Sequence, residues 1–460
     1  MIVAKFGGSS LADAEHIKKV YDIVRSNSER KAIVVSAPGK RDKSDQKVTD
    51  LLIKCANERI KGAAAPDSFP ILMERFSSLI GSLGLENAVL EGIEKDLTSR
   101  LAMYGESIIN DMEFTDLMKA AGEDNNAKLI AAYFTKMGLP SVYVNPKDAG
   151  FYMSEAFGNA QILPESYQNI AAHLAGIQET IIFPGFFGYT KSGKTTTFSR
   201  GGSDVTGSVL AAALDASLYE NFTDVDHVCA VDPNLVRDPL PVREITYREM
   251  RELSYGGFQV YHEDALVPVF LKGVPVHIKN TNNPGKSGTI ILKARTQQSP
   301  DRPVTGISHA TGFLCIHISK LMMNIEIGFG RKVLQIIEDE NLPFEHMPSG
   351  IDNISIILKE SYATPVIVDR LIDRIKCELS VDEVTVRRGL AIVMLVGEGM
   401  LHFVGTTARA GKALANAGIN IEIINQGSSE VSLMFGIDAG DAEESVRSLY
   451  QEFFVNGDNY

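Results

Sequence analysis

Short apolar, β-branched runs alternate along the first ~300 residues with stretches whose apolar residues recur every three to four positions, which predicts a sheet with helices on both faces. The strand candidates are residues 1–6, 31–36, 141–145, 180–183, 217–221, 274–278 and 289–292. Residues 45–121 carry few β-branched clusters and predict a helical layer. The polar, proline-bearing stretch 293–303 (KARTQQSPDRP) reads as a linker and a domain boundary.

Beyond the linker the pattern repeats. Glu345 and Glu422 are 77 residues apart (422 − 345), and the same offset relates Gly328 to Gly405, Leu342 to Ile419, Phe344 to Ile421, Gly350 to Gly427 and Ser355 to Ser432. An offset shared by glycines, apolar positions and an acidic residue marks two copies of one module, each reading strand, helix, strand, strand, helix. Two strand-like stretches, 304–309 and 313–319, precede the first module's helix, where one would suffice. The second module has only a weak final strand near Phe453, so it is expected to borrow 304–309. The expected organisation is a catalytic α/β domain over 1–296, a first module over 304–388 with 304–309 shared, and a second over 389–460.

With 44% hydrophobic and 22% charged residues the chain can bury large cores. A formal net charge of −13, without a basic block, argues against a duplex nucleic-acid binder. No run approaches eighteen apolar residues, and the start, MIVAKFGGSS, has too short an apolar stretch for a signal-peptide core. A cytoplasmic protein with no membrane partner is expected. The cysteines Cys55, Cys229, Cys315 and Cys377 form no CxxC pair and read as reduced, mostly core residues. The sequon Asn221-Phe222-Thr223 is then a chance match.

Two segments carry anion-binding chemistry. Lys5-Phe6-Gly7-Gly8-Ser9-Ser10 ends a strand and leads into a helix: paired glycines let backbone N–H groups approach an anion, and the lysine adds a fixed charge. The spacing alone also fits a plain strand-to-helix turn. Thr195-Thr196-Thr197-Phe198-Ser199-Arg200-Gly201-Gly202-Ser203-Asp204 opens a second helix and offers a guanidinium fork for a carboxylate, the alternative being a capped helix with a surface arginine. Gly188 to Thr195 satisfies GxxxxGK[ST], but the β-branched residues that follow do not start a helix, so 191–194 reads as a hairpin turn. Thr223-Asp224-Val225-Asp226 and Asp232-Pro233 could hold Mg²⁺, bond a ribose or form turns, and spacing does not choose. His262-Glu263-Asp264 has no partner at metal-ligand spacing, so no protein-held metal centre is expected.

Taken together, KFGGSS, VVSAPGK at 34–40, Tyr104-Gly105-Glu106, TTFSRGGSD, TDVDHVCAVDP and the doubled module resemble the aspartokinase family in order and spacing. The resemblance implies an amino-acid kinase fold followed by two ACT-like, ferredoxin-like βαββαβ modules. It implies transfer of the γ-phosphate of ATP, with Mg²⁺, to the β-carboxylate of L-aspartate, giving 4-phospho-L-aspartate on the way to lysine, threonine and methionine. By the same resemblance Lys5, Gly7, Gly8 and Ser9 hold phosphates, and Thr223 and Asp224 lie near the base and ribose. Ser36, Thr49, Glu106, Arg200 and Asp204 line the aspartate site, with Lys5, Arg200 and Asp204 central to catalysis. Met323, Gly328, Phe329, Phe344 and Glu345 fall where an amino-acid effector binds, lysine first and threonine next. A homodimer or dimer of dimers through the ACT modules is implied.

The chain departs from the family pattern where a lysine near the phosphates is replaced by Gln259, with Lys272 or Lys279 as candidate substitutes, and where a tyrosine and an arginine become Cys229 and Asn234. Its first module also does not match the family's lysine site closely. A catalytically inactive amino-acid sensor and a kinase for another acidic amino acid are the alternatives.

Overall fold

The computed structural model describes residues 1–106, 109–258, 261, 263–295, 303–401, 403–427 and 429–456; the side chain of Glu106 lies outside that description, as do Gln259 and His262. The chain divides into two compact units. One comprises Met1–Val228, Val242–Arg251 and Gln259–Arg295, the other Cys229–Pro241, Glu252–Phe258 and Thr296–Tyr460.

The first unit is built on an eight-stranded sheet in the order Glu244–Thr246, Thr289–Leu292, Val276–Asn280, Leu218–Thr223, Ile2–Phe6, Arg30–Val35, Thr180–Pro184, Ser141–Tyr143. Every neighbouring pair is parallel except Val276–Asn280 with Thr289–Leu292. Sheets of this kind need cover on both faces, which is why the central runs are apolar throughout: Ile2–Phe6 is buried at every position. Ala4, Phe6 and Phe222 face one core, shared with the helix Ala14–Arg25 and with the layer Val48–Ile60, Ser68–Leu83, Asn87–Glu106 and Asp111–Lys136. The last of these runs to residue 136, past the expected limit at 121, and Asn110 caps it by accepting the Glu113 N–H at 2.9 Å.

Alternation along the strand turns Lys5 to the opposite face, toward the helix Gly202–Ala213. That helix packs on Tyr219 at Gly207, where a Cβ would come within 2.4 Å of the tyrosine hydroxyl. The segment resembling a P-loop is a hairpin, with Phe187–Tyr189 antiparallel to Thr195–Thr197. The strand Glu244–Thr246 was not among the predicted ones.

The second unit contains a five-stranded antiparallel sheet in the order Asn353–Lys359, Gly306–Ser319, Glu383–Val396, Ser432–Asp438, Ile423–Gln426. The two predicted stretches 304–309 and 313–319 form one strand, its pairing irregular around Gly312 (φ 84). Its first half pairs with 391–396, in the second repeat, and its second half with 383–387 and 353–359. No strand forms at Phe453: the helix Ala442–Tyr450 continues into a π-turn over Gln451–Val455, and 306–311 occupies the sheet position beside 391–396.

Candidate active site

Parallel strands bring their carboxyl ends to one edge, so the strand order fixes the order of the loops there: Asn280-Thr281, then Thr223-Asp224, then Gly7-Gly8, then 36–39, then Gly185-Phe186. Neighbouring strands stand about 4.8 Å apart, which spreads these loops over a length comparable to a nucleotide and a small second substrate. The loops bond directly to one another. Gly7 N–H donates to Phe222 O (3.2 Å), Ser36 N–H to Phe6 O (3.2 Å), Gly39 N–H to Gly8 O (2.9 Å) and Gly185 N–H to Val35 O (2.9 Å). The Ser10 and Thr281 hydroxyls share a buried hydrogen bond of 2.6 Å. Gly39 is required by this packing, since a Cβ there would lie 2.5 Å from the Gly8 carbonyl carbon.

Lys5 lies beneath Gly7 and pairs with Asp204 at 2.7 Å, and Asn221 donates to the same carboxylate oxygen at 2.6 Å. Lys5 is buried. Gly201 is left-handed (φ 59), which turns the chain from the exposed Arg200 into the helix carrying Asp204. Ser203 packs against Gly185, and Phe186 takes a positive φ of 75, its N–H donating to the Thr206 hydroxyl at 3.1 Å. Ser9 is exposed, and Thr49 sits half-buried in the first turn of Val48–Ile60, whose Val48 N–H donates to Pro38 O. Lys5, Gly7, Gly8, Ser9, Ser36, Thr49, Arg200 and Asp204 therefore gather around one edge of the sheet.

The Glu106 side chain lies outside the described residues, and the turn that carries it is placed by Tyr104 and Gly105. The Arg59 guanidinium donates to Tyr104 O at 3.0 Å and lies against Gly105, which puts this turn beside the far end of Val48–Ile60, ten residues or roughly 15 Å from Thr49. The carboxylate beside the 36–39 loop is Glu123. At Gly122 a Cβ would meet Ala37 Cβ at 2.9 Å and a Leu52 methyl at 3.1 Å, so the helix Asp111–Lys136 presses there on the loop and on Val48–Ile60. Asn126 donates to Ser36 O at 2.7 Å. Burial pushes the Glu123 carboxyl up to about 8, against a hydrogen bond from the Ala37 backbone that acts to lower it, and one carboxyl oxygen has no partner. The signal that could have found it is a second Gly-Glu pair, Gly122-Glu123, preceded by Ala120 and Ala121, small residues that permit close approach of a helix.

Toward the other end of the edge, Thr223 bonds its own neighbour Asp224 at 3.2 Å, and Asn280 donates to Asp224 O and to the Asp226 carboxylate (2.7 Å). Asp226 is held below the usual carboxylate range by hydrogen bonds from Asn283 and Asn280. Asp226 thus fastens the turn, whereas the Asp224 side chain is exposed beside Thr223. Neither candidate substitute for a lysine at Gln259 lies beside Lys5. Lys272 pairs at 3.1 Å with Asp215, beyond the carboxyl end of Gly202–Ala213 and roughly 16 Å along that helix from Asp204. Lys279 lies over the Phe222 ring, on the sheet face opposite Lys5.

In the second unit the effector candidates fall into two groups. Met323, Gly328 and Phe329 surround the start of the helix Phe329–Asp339, with Met323 and Phe329 buried in the module core. Phe344 and Glu345 follow its other end, roughly 15 Å away. Phe344 is 46% exposed and lines a groove of about 480 Å³ with Leu334, Ile337 and Leu342, whereas Glu345 accepts the Tyr255 hydroxyl and pairs with Lys359 at 3.4 Å.

Among the described residues no cluster of three or more His, Cys, Asp or Glu side chains could hold a metal ion, and no helix is long and apolar enough to cross a membrane. Residues 1–280 match the amino acid kinase family and residues 393–453 an ACT domain. Aspartokinase 3 of Bacillus subtilis is 52% identical over 455 residues, 99% of each chain. The aspartate kinase of Clostridium acetobutylicum, an allosteric enzyme, has a crystal structure that matches with a TM-score of 0.83 at 35% identity, over 98% of this chain and 100% of that one. Escherichia coli aspartokinase III, solved with aspartate and ADP, shares the fold (TM-score 0.79, 23% identity, 99% and 100% covered). The chain belongs to the amino acid kinase family, within its ACT-bearing aspartokinase branch.

Proposed function

We propose that the protein phosphorylates the β-carboxylate of L-aspartate with ATP under feedback control by an end-product amino acid, lysine first and threonine next. The observation that carries this reading is the contact of two glycine loops at one sheet edge, Gly39 N–H on Gly8 O at 2.9 Å, with Lys5 beneath them. Gly7, Gly8 and Ser9 hold the phosphates, with Thr223 and Asp224 toward the ribose. Ser36, Thr49 and Arg200 hold aspartate, Arg200 through its α-carboxylate. Glu123 receives the substrate ammonium, a role the family resemblance would give to Glu106 or Asp204.

The chemistry asks little of acid or base groups. The acceptor carboxylate is already ionised near neutrality. One of its oxygens bonds to the γ-phosphorus as the bond to the β,γ-bridging oxygen breaks, and ADP carries away the electron pair. Alignment and charge neutralisation do the rest, Lys5 exchanging Asp204 for a phosphate oxygen while backbone N–H groups line the phosphates. Asp204 and Asp224, carboxylates at this edge, would be the groups to meet a nucleotide-bound Mg²⁺ directly or through water, and the ion would supply further neutralisation of phosphate charge.

Residues 1–296 form the catalytic part in this reading, and 304–388 and 389–460 the two ACT modules. A free amino acid cannot span the two groups of effector candidates within one chain. It therefore uses one group, or both meet across a dimer formed through the modules. The enzyme is cytoplasmic.

The test is ADP release with Mg-ATP, comparing aspartate with glutamate, each with and without lysine or threonine. Turnover with aspartate alone, suppressed by lysine, is expected. Silence with aspartate under every condition would refute the kinase reading and leave an amino-acid sensor.

A further inference from the structure

Three backbone segments that shape the proposed site meet at one side chain outside it. Arg75, on the helix Ser68–Leu83, has a guanidinium only 4% exposed. One of its nitrogens donates to Gly39 O at 2.5 Å and to Ala12 O at 3.0 Å, and the other pairs with Asp45. Ala12 closes the short helical turn Gly8–Leu11, which carries Gly8 and Ser9 of the phosphate loop. Gly39 is the residue whose N–H bonds Gly8. Asp45 belongs to the loop leading to Thr49 and is also gripped by Arg41, whose Nε, Nη2 and backbone N–H each donate to it at 2.9 Å.

A buried guanidinium is costly unless its donors find acceptors; here Nε has none, and the terminal nitrogens are held by Asp45 and by the main-chain carbonyls of the two substrate loops. Lysine presents a point charge and cannot reproduce that planar fork. We propose that Arg75 is a positioning residue for phosphoryl transfer, fixing the phosphate loop and the acceptor loop at the separation that aligns their substrates. The proposal rests on the kinase reading above. Arg75 touches neither substrate, and its action is on alignment: a misplacement of about 1 Å costs on the order of 10²-fold in rate. A cleft of about 310 Å³, lined by Arg41, Ser44, Asp45, Glu74 and Arg75, opens beside the guanidinium and gives a small cation access to the same place.

The experiment uses the full chain with Mg-ATP, aspartate and hydroxylamine, measuring ADP released and aspartyl hydroxamate trapped in parallel. For Arg75→Ala, kcat is expected to fall by about 10²-fold with both KM values within about threefold. The ratio of ADP to hydroxamate should rise severalfold as water replaces misaligned aspartate, and added guanidinium should restore both measures in part. Arg75→Lys, which keeps the charge, and Asp45→Asn, altered at the rim, should show the same uncoupling more weakly and serve if the alanine variant does not fold. Loss of rate with the ratio unchanged and no response to guanidinium would mean a merely structural role and overturn the proposal, as would wild-type behaviour of all folded variants. Wild-type protein that forms no hydroxamate would overturn the kinase reading itself, and this proposal with it.

Discussion

Glu123→Gln removes the charge of the buried carboxyl with little change of shape, so it separates what that charge costs the fold from what it gives the site. The folded carboxyl titrates at about 8 against 4.5 for an unperturbed glutamate. Between those values the unfolded chain has released a proton that the folded chain keeps, so this group's contribution to stability falls as pH rises from 4.5 to about 8 and is level above. At about 1.36 kcal/mol per pH unit the loss is roughly 3 kcal/mol at pH 7 and roughly 5 kcal/mol above pH 8. Glutamine escapes it but leaves an amide donor to satisfy, an offset of about 1–2 kcal/mol. The variant should therefore be more stable than wild type by about 3 kcal/mol at pH 8.5 and no more stable at pH 5. Activity should move the other way. An ammonium deprived of a buried carboxylate loses about 2–5 kcal/mol, so KM for aspartate should rise by at least about 30-fold. In wild type that KM should fall as pH rises from 6 to 8, because the carboxyl must ionise before it can pair. Urea midpoints at pH 5 and 8.5, with KM measured across the same range, test both halves. A stability difference that ignores pH, or a variant with wild-type KM, would refute the reasoning.

The contrasting variant Glu106→Gln should leave KM for aspartate within about twofold, since its turn packs on Arg59 far from Thr49; a large increase would return Glu106 to the site. Gly39→Ala drives a methyl into the Gly8 carbonyl carbon, 2.5 Å away, and should lower kcat by on the order of 10²-fold while circular dichroism stays native. Arg30 and Glu220 form a buried, two-bonded pair across the central strands (2.5 and 3.0 Å). Arg30→Met strands the carboxylate and should destabilise the fold by about 3–5 kcal/mol in urea titration, whereas Arg30→Met with Glu220→Leu should recover much of that loss.

What could be read from the sequence was what local chemistry decides. The doubly covered strands are visible because both faces demand apolar residues, and the false P-loop is unmasked because Thr195-Thr196-Thr197 prefers a strand. Lys5 and Asp204 could be named but not paired, since their 2.7 Å contact depends on Lys5 facing the helix Gly202–Ala213 and on Gly207 letting that helix reach Tyr219. Glu106 is legible as part of a motif and Glu123 is not, for the same reason. Gly105-Glu106 and Gly122-Glu123 are alike as dipeptides, and only the packing of Asp111–Lys136 on Ala37 brings one of them to the acceptor loop. In the second unit, the spare strand at 304–309 and the weak one at Phe453 were both legible as anomalies, and one pairing resolves them: 306–311 fills the place beside 391–396 that a strand at Phe453 would otherwise take. Register and helix-to-sheet contact are non-local, and those are the features that turn a list of motif residues into a site. Arg75 follows the same logic at greater distance. No motif marks it, because two of its three acceptors are main-chain carbonyls that any residue could supply, and the role proposed for it becomes visible only when Ala12, Gly39 and Asp45 are found around one guanidinium.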